Sequence, residues 1–167
     1  MGSRKILITG NIGSGKTTLC KIVSKKLDIP AYHFDQIAWE ADWKRPTPEV
    51  RYRKTKELIA SDAWVVDAVS KELMEAADMI VFLDVTRSVS FWRVFKRNLK
   101  TGFRTRSEMP LDCPDYRMIP FIIRVIRGFP LKQTPWILEM MENMKEKKRM
   151  VRIRSNEERR LFIESLA

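Results

Sequence analysis

Cysteine is scarce: Cys20 and Cys113 are the only two in 167 residues, which excludes a disulfide framework and leaves both expected as unpaired thiols in a reducing compartment. Histidine is scarcer still. His33 stands alone, which removes a histidine metal cluster and a Ser-His-Asp triad and leaves that side chain structural or pocket-lining. Long apolar runs are missing too: Met118–Ile126 is interrupted by Arg124 and falls short of the ~20 residues that a membrane span needs. No secretory leader or myristoylation signal is expected, since Met1-Gly2-Ser3-Arg4-Lys5 precedes only three apolar residues and position 6 is Ile. The expected location is the cytoplasm.

Acid is in deficit, with 21 Asp and Glu against 32 Lys and Arg, for a net charge of +11. Such a balance favours anionic partners, among them a triphosphate or nucleic acid. The excess is concentrated between Arg87 and Lys132, where eleven basic residues meet only Glu108, Asp112 and Asp115. At 44% hydrophobic composition the chain suffices for one domain over residues 1–167, burying ~70% of the surface its unfolded chain exposes.

What is present is an alternation of short apolar runs and helical patterns, the signature of a parallel sheet wrapped by helices. Strands are expected at Lys5–Thr9, Ala31–Phe34, Trp64–Asp67, Met79–Asp84 and Met150–Arg154. Helices are expected at Thr17–Leu27, at Pro48–Ala60 behind a Thr47 cap, at Lys71–Ala77, Ser88–Lys100, Tyr116–Arg127 and Pro135–Lys147, the last capped by Thr134. Ser155 and Glu158 form a capping box for a terminal helix. In Ser88–Lys100 the stripe Phe91, Trp92, Phe95 and Leu99 is expected inside, with Arg93, Lys96, Arg97 and Lys100 outside. Met140, Met141 and Met144 read as core beside Trp136.

The sharpest signal is Gly10-Asn11-Ile12-Gly13-Ser14-Gly15-Lys16-Thr17, which fits G-x-x-x-x-G-K-[ST]. Glycines let successive N–H groups turn toward phosphate oxygens, Lys16 reaches the β and γ phosphates, and the Thr17 hydroxyl binds magnesium. Such a match arises by chance in a chain this long in roughly one case in two hundred at average composition. An apolar strand before it and an amphipathic helix after it, beginning at Thr17 and Thr18, complete the context, so ATP with Mg2+ is the expected ligand.

Magnesium and an acceptor hydroxyl both call for carboxylates. Asp67 and Asp84 each end an apolar run; Asp67 is the candidate metal ligand, with Asp84 as the alternative. Asp35, just past the second strand, is the candidate for the acceptor's proton. Cations for the migrating phosphate are expected from Arg97, Arg104 and Arg106, at a helix end and in the loop after it, with a lid over about residues 101–116. Arg51 and Arg53 are candidates to meet the acceptor, whose segment covers about residues 35–61.

These residues in this order resemble a family. Ile6–Thr17, Tyr32-His33-Phe34-Asp35 with Trp39 and Trp43, Trp64–Asp67, Ala77–Asp84 and Arg104-Thr105-Arg106 look like the adenylate-kinase-related P-loop proteins labelled DNA topology modulation proteins. The resemblance implies an α/β, three-layer αβα P-loop NTPase fold, like a nucleoside monophosphate kinase, with a five-stranded parallel sheet and a helical lid. It also implies Lys16 on the phosphates, Thr17 and Asp67 near magnesium, Asp35 near the acceptor, and Arg104 and Arg106 in the lid. Adenylate kinase activity is not implied: Asp67-Ala68-Val69-Ser70 departs from the family's Asp-Gly-Asn-Tyr turn, and Lys71 is the nearest cation where an arginine would grip a monophosphate. The leading expectation is a kinase acting on a nucleotide, nucleoside or other hydroxylated small molecule. The alternatives are an ATP-binding nucleic-acid-associated protein and a polynucleotide 5′-hydroxyl kinase.

Overall fold

The computed structural model of the protein describes residues 4–101, 105 and 107–166. Five strands, β1 (Lys5–Gly10), β2 (Ala31–His33), β3 (Trp64–Asp67), β4 (Met79–Leu83) and β5 (Arg149–Ile153), form one sheet in the order β2-β3-β1-β4-β5. All pairings are parallel. The three central strands are almost wholly buried, as a parallel sheet covered on both faces requires.

Eight α-helices are described: α1 (Lys16–Leu27), α2 (Asp35–Ala38), α3 (Pro48–Ala60), α4 (Lys71–Ala76), α5 (Arg87–Thr101), α6 (Ile119–Lys132), α7 (Thr134–Met144) and α8 (Asn156–Glu164). The twofold alternation of strand side chains divides the core. Leu7, Val66, Ile80 and Phe82 face Leu73 of α4, Phe129 of α6 and Ile137 of α7. Ile6, Ile8, Val65 and Val81 face Leu19 and Val23 of α1 and Phe162 of α8. Each fully buried Ile or Leu contributes about 1.5–3 kcal/mol. The result is the three-layer αβα arrangement with the five-stranded parallel sheet.

Local signals explain most element ends. Val50 donates its N–H to Thr47 Oγ1 (3.4 Å) with Pro48 in the first turn, Leu73 to Ser70 Oγ (3.4 Å), and Glu158 to Ser155 Oγ (3.1 Å). Glu158 reaches back to the Arg154 N–H (2.6 Å), one residue earlier than in the ideal box. Met141 is buried, with Met140 and Met144 packed against the same cluster.

Three expectations are corrected. Thr134 lies inside α7, and Gln133 precedes it without a side-chain cap, because α6 runs on to Lys132 and the two helices nearly abut. The segment Tyr116–Arg127 begins as a 3-10 turn over Asp115–Met118 before α6 starts at Ile119. The largest correction concerns α5. Trp92, Phe95 and Leu99 are 56%, 56% and 70% exposed, and the buried residues are Ser90 and Val94. The phosphate loop selects that face: a Cβ at Gly13 would lie 2.5 Å from the Ser90 carbonyl oxygen and 3.0 Å from Val94 Cγ2, so only a slim surface can approach. Arg93 and Arg97 turn inward with it.

Candidate active site

β1 delivers Gly10 at the carboxyl edge of the sheet, where α/β proteins bind ligands. Gly13 and Gly15 have φ of 77° and 98°, in the left-handed region. A Cβ at Gly10 would lie 2.7 Å from the Leu83 carbonyl oxygen, so the turn fits only glycine there. Gly15 precedes α1 without a side-chain cap, which leaves the first N–H groups of a 12-residue helix facing the loop. The Lys16 ammonium donates to the carbonyls of Gly10 and Asn11, both at 2.8 Å, and so lies against the loop.

Asn11 and Ser14 are buried and do not line the cleft. Asn11 instead ties the loop to α6. Its Oδ1 accepts the Ile12 N–H (2.8 Å) and its Nδ2 donates to the Ile126 carbonyl (3.1 Å). That carbonyl would ordinarily accept from residue 130, which is Pro130 and has no N–H. The amide side chain therefore supplies the donor that the helix itself cannot.

Behind the loop, Thr17 Oγ1 donates to Asp67 Oδ2 (2.5 Å), and Asp67 Oδ1 is 3.1 Å from His33 Nδ1. Parallel pairing makes this row: His33 lies beside Asp67 on β2 and β3, and Ile8 beside Asp67 on β1 and β3. A hydroxyl and a carboxylate are hard oxygen donors of the kind magnesium takes. No group of three or more His, Cys, Asp or Glu suited to a metal occurs among the described residues, so this pair fits an ion that also draws ligands from phosphates and water. Asp84 points elsewhere, held by Arg152 through Nε (2.9 Å) and Nη2 (2.5 Å).

A cleft of about 600 Å³ joins the loop to a second, aromatic end. Gly10, Ile12, Gly13 and the stretch Gly15 to Thr18 line the first end, with Arg93 and Arg97. Arg93 Nη1 donates to the Ser14 carbonyl (2.8 Å), and Arg97 Nη2 meets the buried Asp115 Oδ2 at 2.7 Å. Arg159, from α8, approaches Gly15 beside Arg93; burial, then the Arg93 charge, pushes its guanidinium below the usual arginine range. Two neighbouring cations at the mouth of a phosphate loop create a place for an anion.

The far end holds Asp35, at the start of α2, with Phe34, Trp39, Trp43 and Phe121. Arg51 and Arg53 do not line the cleft; Arg53 faces Glu57 (3.9 Å) along its own helix. Arg104 and Arg106 lie outside the described residues. Sequence reasoning missed Arg159, the inward turn of Arg93, the Asp115 partner of Arg97 and the His33–Asp67 contact. For His33 a signal existed: adjacent parallel strands with a polar residue ending each. A larger, shallower depression near Arg4, Asp28 and Lys147 lies at the amino edge of the sheet, away from the loop. No helix among the described residues is long and apolar enough to cross a membrane.

Comparison with known proteins agrees with this geometry. A family profile described as an AAA domain matches residues 6–119. No curated protein matches in sequence. Among solved structures, shikimate kinase from Acinetobacter baumannii in complex with shikimate is similar at TM-score 0.60 and 16% identity, over 98% of this chain and 90% of that one. A sugar kinase from Janibacter sp. gives 0.52 and 15%, over 99% and 96%. An uncharacterized protein from Eubacterium ventriosum gives 0.53 and 13%, over 96% of each chain. At these identities the likeness is one of fold: a P-loop kinase fold.

Proposed function

The chain belongs to the AAA domain family, and from that premise we propose that it is an ATP-dependent phosphotransferase acting on a hydroxylated small molecule. The observation that carries the reading is the Thr17–Asp67 hydrogen bond at the foot of the phosphate loop, in a cleft that also contains Asp35. One domain over 1–167 would hold both substrates, with an acceptor segment over about 35–61 and a lid over about 101–116.

In this reading the loop N–H groups and Lys16 hold the triphosphate, with Arg93, Arg97 and Arg159 around it. Thr17 and Asp67 would hold magnesium, which supplies charge neutralisation on the phosphate oxygens. The acceptor oxygen forms a bond to the γ-phosphorus, the bond from that phosphorus to the β–γ bridging oxygen breaks, and ADP leaves. Asp35 takes the acceptor's proton and passes it to water. Arg97 steadies the transferring group, and Arg104 and Arg106 add charge from the lid.

The test is transfer from γ-labelled ATP with magnesium to nucleosides, monophosphates, sugars and 5′-hydroxyl oligonucleotides. Transfer should fall at least 100-fold in Lys16→Ala and Asp35→Asn, each effect on the scale of a lost electrostatic or proton-transfer contact. ATP binding without transfer to any acceptor would refute the reading.

A second reading attaches to α5. Trp92 and Phe95 stack at 5.9 Å and 20°, both exposed, with Lys96 4.9 Å over the Trp92 ring. Exposed rings interleaved with cations suit single-stranded nucleic acid, in keeping with the resemblance to DNA topology modulation proteins. Salt-dependent binding of single strands that Trp92→Ala leaves unchanged would reject it.

A further inference from the structure

His33 does not line the cleft, yet it ends β2 against a carboxylate that does. Parallel pairing sets His33 beside Asp67, and the Phe34 N–H donates to the Asp67 carbonyl (3.4 Å), which joins the two strand ends. Ala31 and Tyr32 are exposed on this edge strand, whereas the His33 side chain is only 12% exposed and that of Asp67 8%. A polar side chain withdrawn from water needs a partner, and Asp67 Oδ1 at 3.1 Å is that partner. A carboxylate only accepts, so Nδ1 carries the hydrogen.

The Asp67 carboxylate is thereby held at both oxygens. Thr17 Oγ1 donates to Oδ2 from α1, and His33 Nδ1 donates to Oδ1 from β2. On the β1 side Asp67 faces Ile8, which is fully buried and offers no donor. The torsion that swings a carboxylate about its Cβ–Cγ bond has broad wells, so one donor leaves the group free to turn. Two donors on different elements remove that freedom. The frame beneath is closed as well: Cys20, one turn after Thr17 on α1, puts its Sγ 3.4 Å from the Val65 carbonyl and 3.8 Å from the Tyr32 carbonyl. That thiol is fully buried and ties α1, β2 and β3 together just below the three side chains.

Magnesium demands near-ideal octahedral geometry, so a ligand group whose direction wanders binds it poorly. The Thr17 hydroxyl that gives its hydrogen to Asp67 keeps both lone pairs for an ion. A donor behind a metal-binding carboxylate sets that carboxylate's direction, and loss of such a donor typically costs about 10–100-fold in metal affinity.

Resting on the phosphotransferase reading, we infer that His33 is a positioning residue for magnesium. It touches neither the ion nor a substrate; its Nδ1–H holds Asp67 in the orientation that serves Thr17 and the ion together.

The experiment uses the full chain and a non-hydrolysable ATP analogue, and it reads binding rather than turnover. Calorimetry gives the analogue's affinity in EDTA, and titration of Mg2+ into the protein–analogue complex gives the metal's dissociation constant. His33→Leu should raise that constant about 10-fold or more and leave the metal-free analogue affinity within about twofold. His33→Asn, whose amide nitrogen takes nearly the place of Nδ1, should recover most of the loss; His33→Gln, with its nitrogen one bond further out, should not. An unchanged Mg2+ constant in His33→Leu overturns the inference, and so does an equal loss with and without metal, which marks a merely structural role. Should His33→Leu fail to fold, the other two variants decide, since equal Mg2+ constants in His33→Asn and His33→Gln overturn the inference. Wild-type analogue binding that Mg2+ leaves unaltered, or no analogue binding, overturns the phosphotransferase reading itself.

Discussion

Replacing Asn11 with alanine removes the donor that stands in for the N–H Pro130 lacks. Ile126 is fully buried, so its carbonyl would have no water to turn to. Leaving a buried acceptor unpaired costs about 1–3 kcal/mol, and losing the Asn11 contact to the Ile12 N–H adds to it. We expect Asn11→Ala to destabilise the fold by about 2–3 kcal/mol in all. At this chain length that corresponds to a Tm drop of about 4–12 °C. Pro130→Ala returns a backbone N–H to the position four residues after Ile126. In that background Asn11→Ala should cost about 1 kcal/mol less, the part that concerns Ile126. Urea unfolding of the wild type, both single variants and the double variant closes the cycle, with m-values checked for constancy. Additivity within about 0.5 kcal/mol would refute the reasoning, since the two sites would then share no partner.

Glycine substitutions should separate by place: Gly13→Ala, with φ 77° and the Ser90 carbonyl at 2.5 Å, should cost at least 2 kcal/mol, while Gly128→Ala in α6, where the added Cβ meets only the Lys132 side chain at an ordinary contact distance of 3.8 Å, should stabilise by about 1 kcal/mol, both read from thermal melts. Acid should weaken the junction between α1 and the segment after α5. Burial pushes the Glu108 carboxyl up, but the hydrogen bond and charge of Lys21, a backbone N–H and Ser107 hold it net down, at about 2 against an ordinary 4.5. A carboxyl lowered on folding stabilises above its unfolded pKa. That contribution is therefore lost as pH falls from about 4.5 to 2, and Lys21→Met should flatten the acid limb of a stability profile. Cys20 and Cys113 are fully buried, and burial pushes the Cys20 thiol up, the Asp67 charge adding to it. A thiol reagent should titrate neither in the native protein and both in guanidinium; rapid native labelling would contradict the packing.

The sheet and the phosphate loop were legible in the chain because their determinants are local. A β-branched run ending at Asp67, a glycine pattern with Lys16 and Thr17, and the caps Thr47 and Ser155 each act within a few residues. The inner face of α5 was not legible. Phe91 packs inward against Val94, Ile122 and Ile126 as its place in the stripe suggests, but Trp92, Phe95 and Leu99 face out, because backbone approach at Gly13 chose the slimmer surface of Ser90 and Val94. Arg93 and Arg97 moved with that rotation, and Arg159 reached the loop from the last helix.

By itself the sequence determined the phosphate-loop motif at Gly10–Thr17, since glycine φ preferences, helix N–H groups and a lysine at fixed spacing need no distant partner. Tertiary structure alone decided what faces that loop. Asn11 answers Pro130 across more than a hundred residues, Asp67 lies between Thr17 and His33, and Trp39 reaches Phe121. These contacts arise from strand order and helix packing, which join residues whose own neighbours in sequence carry no record of the meeting.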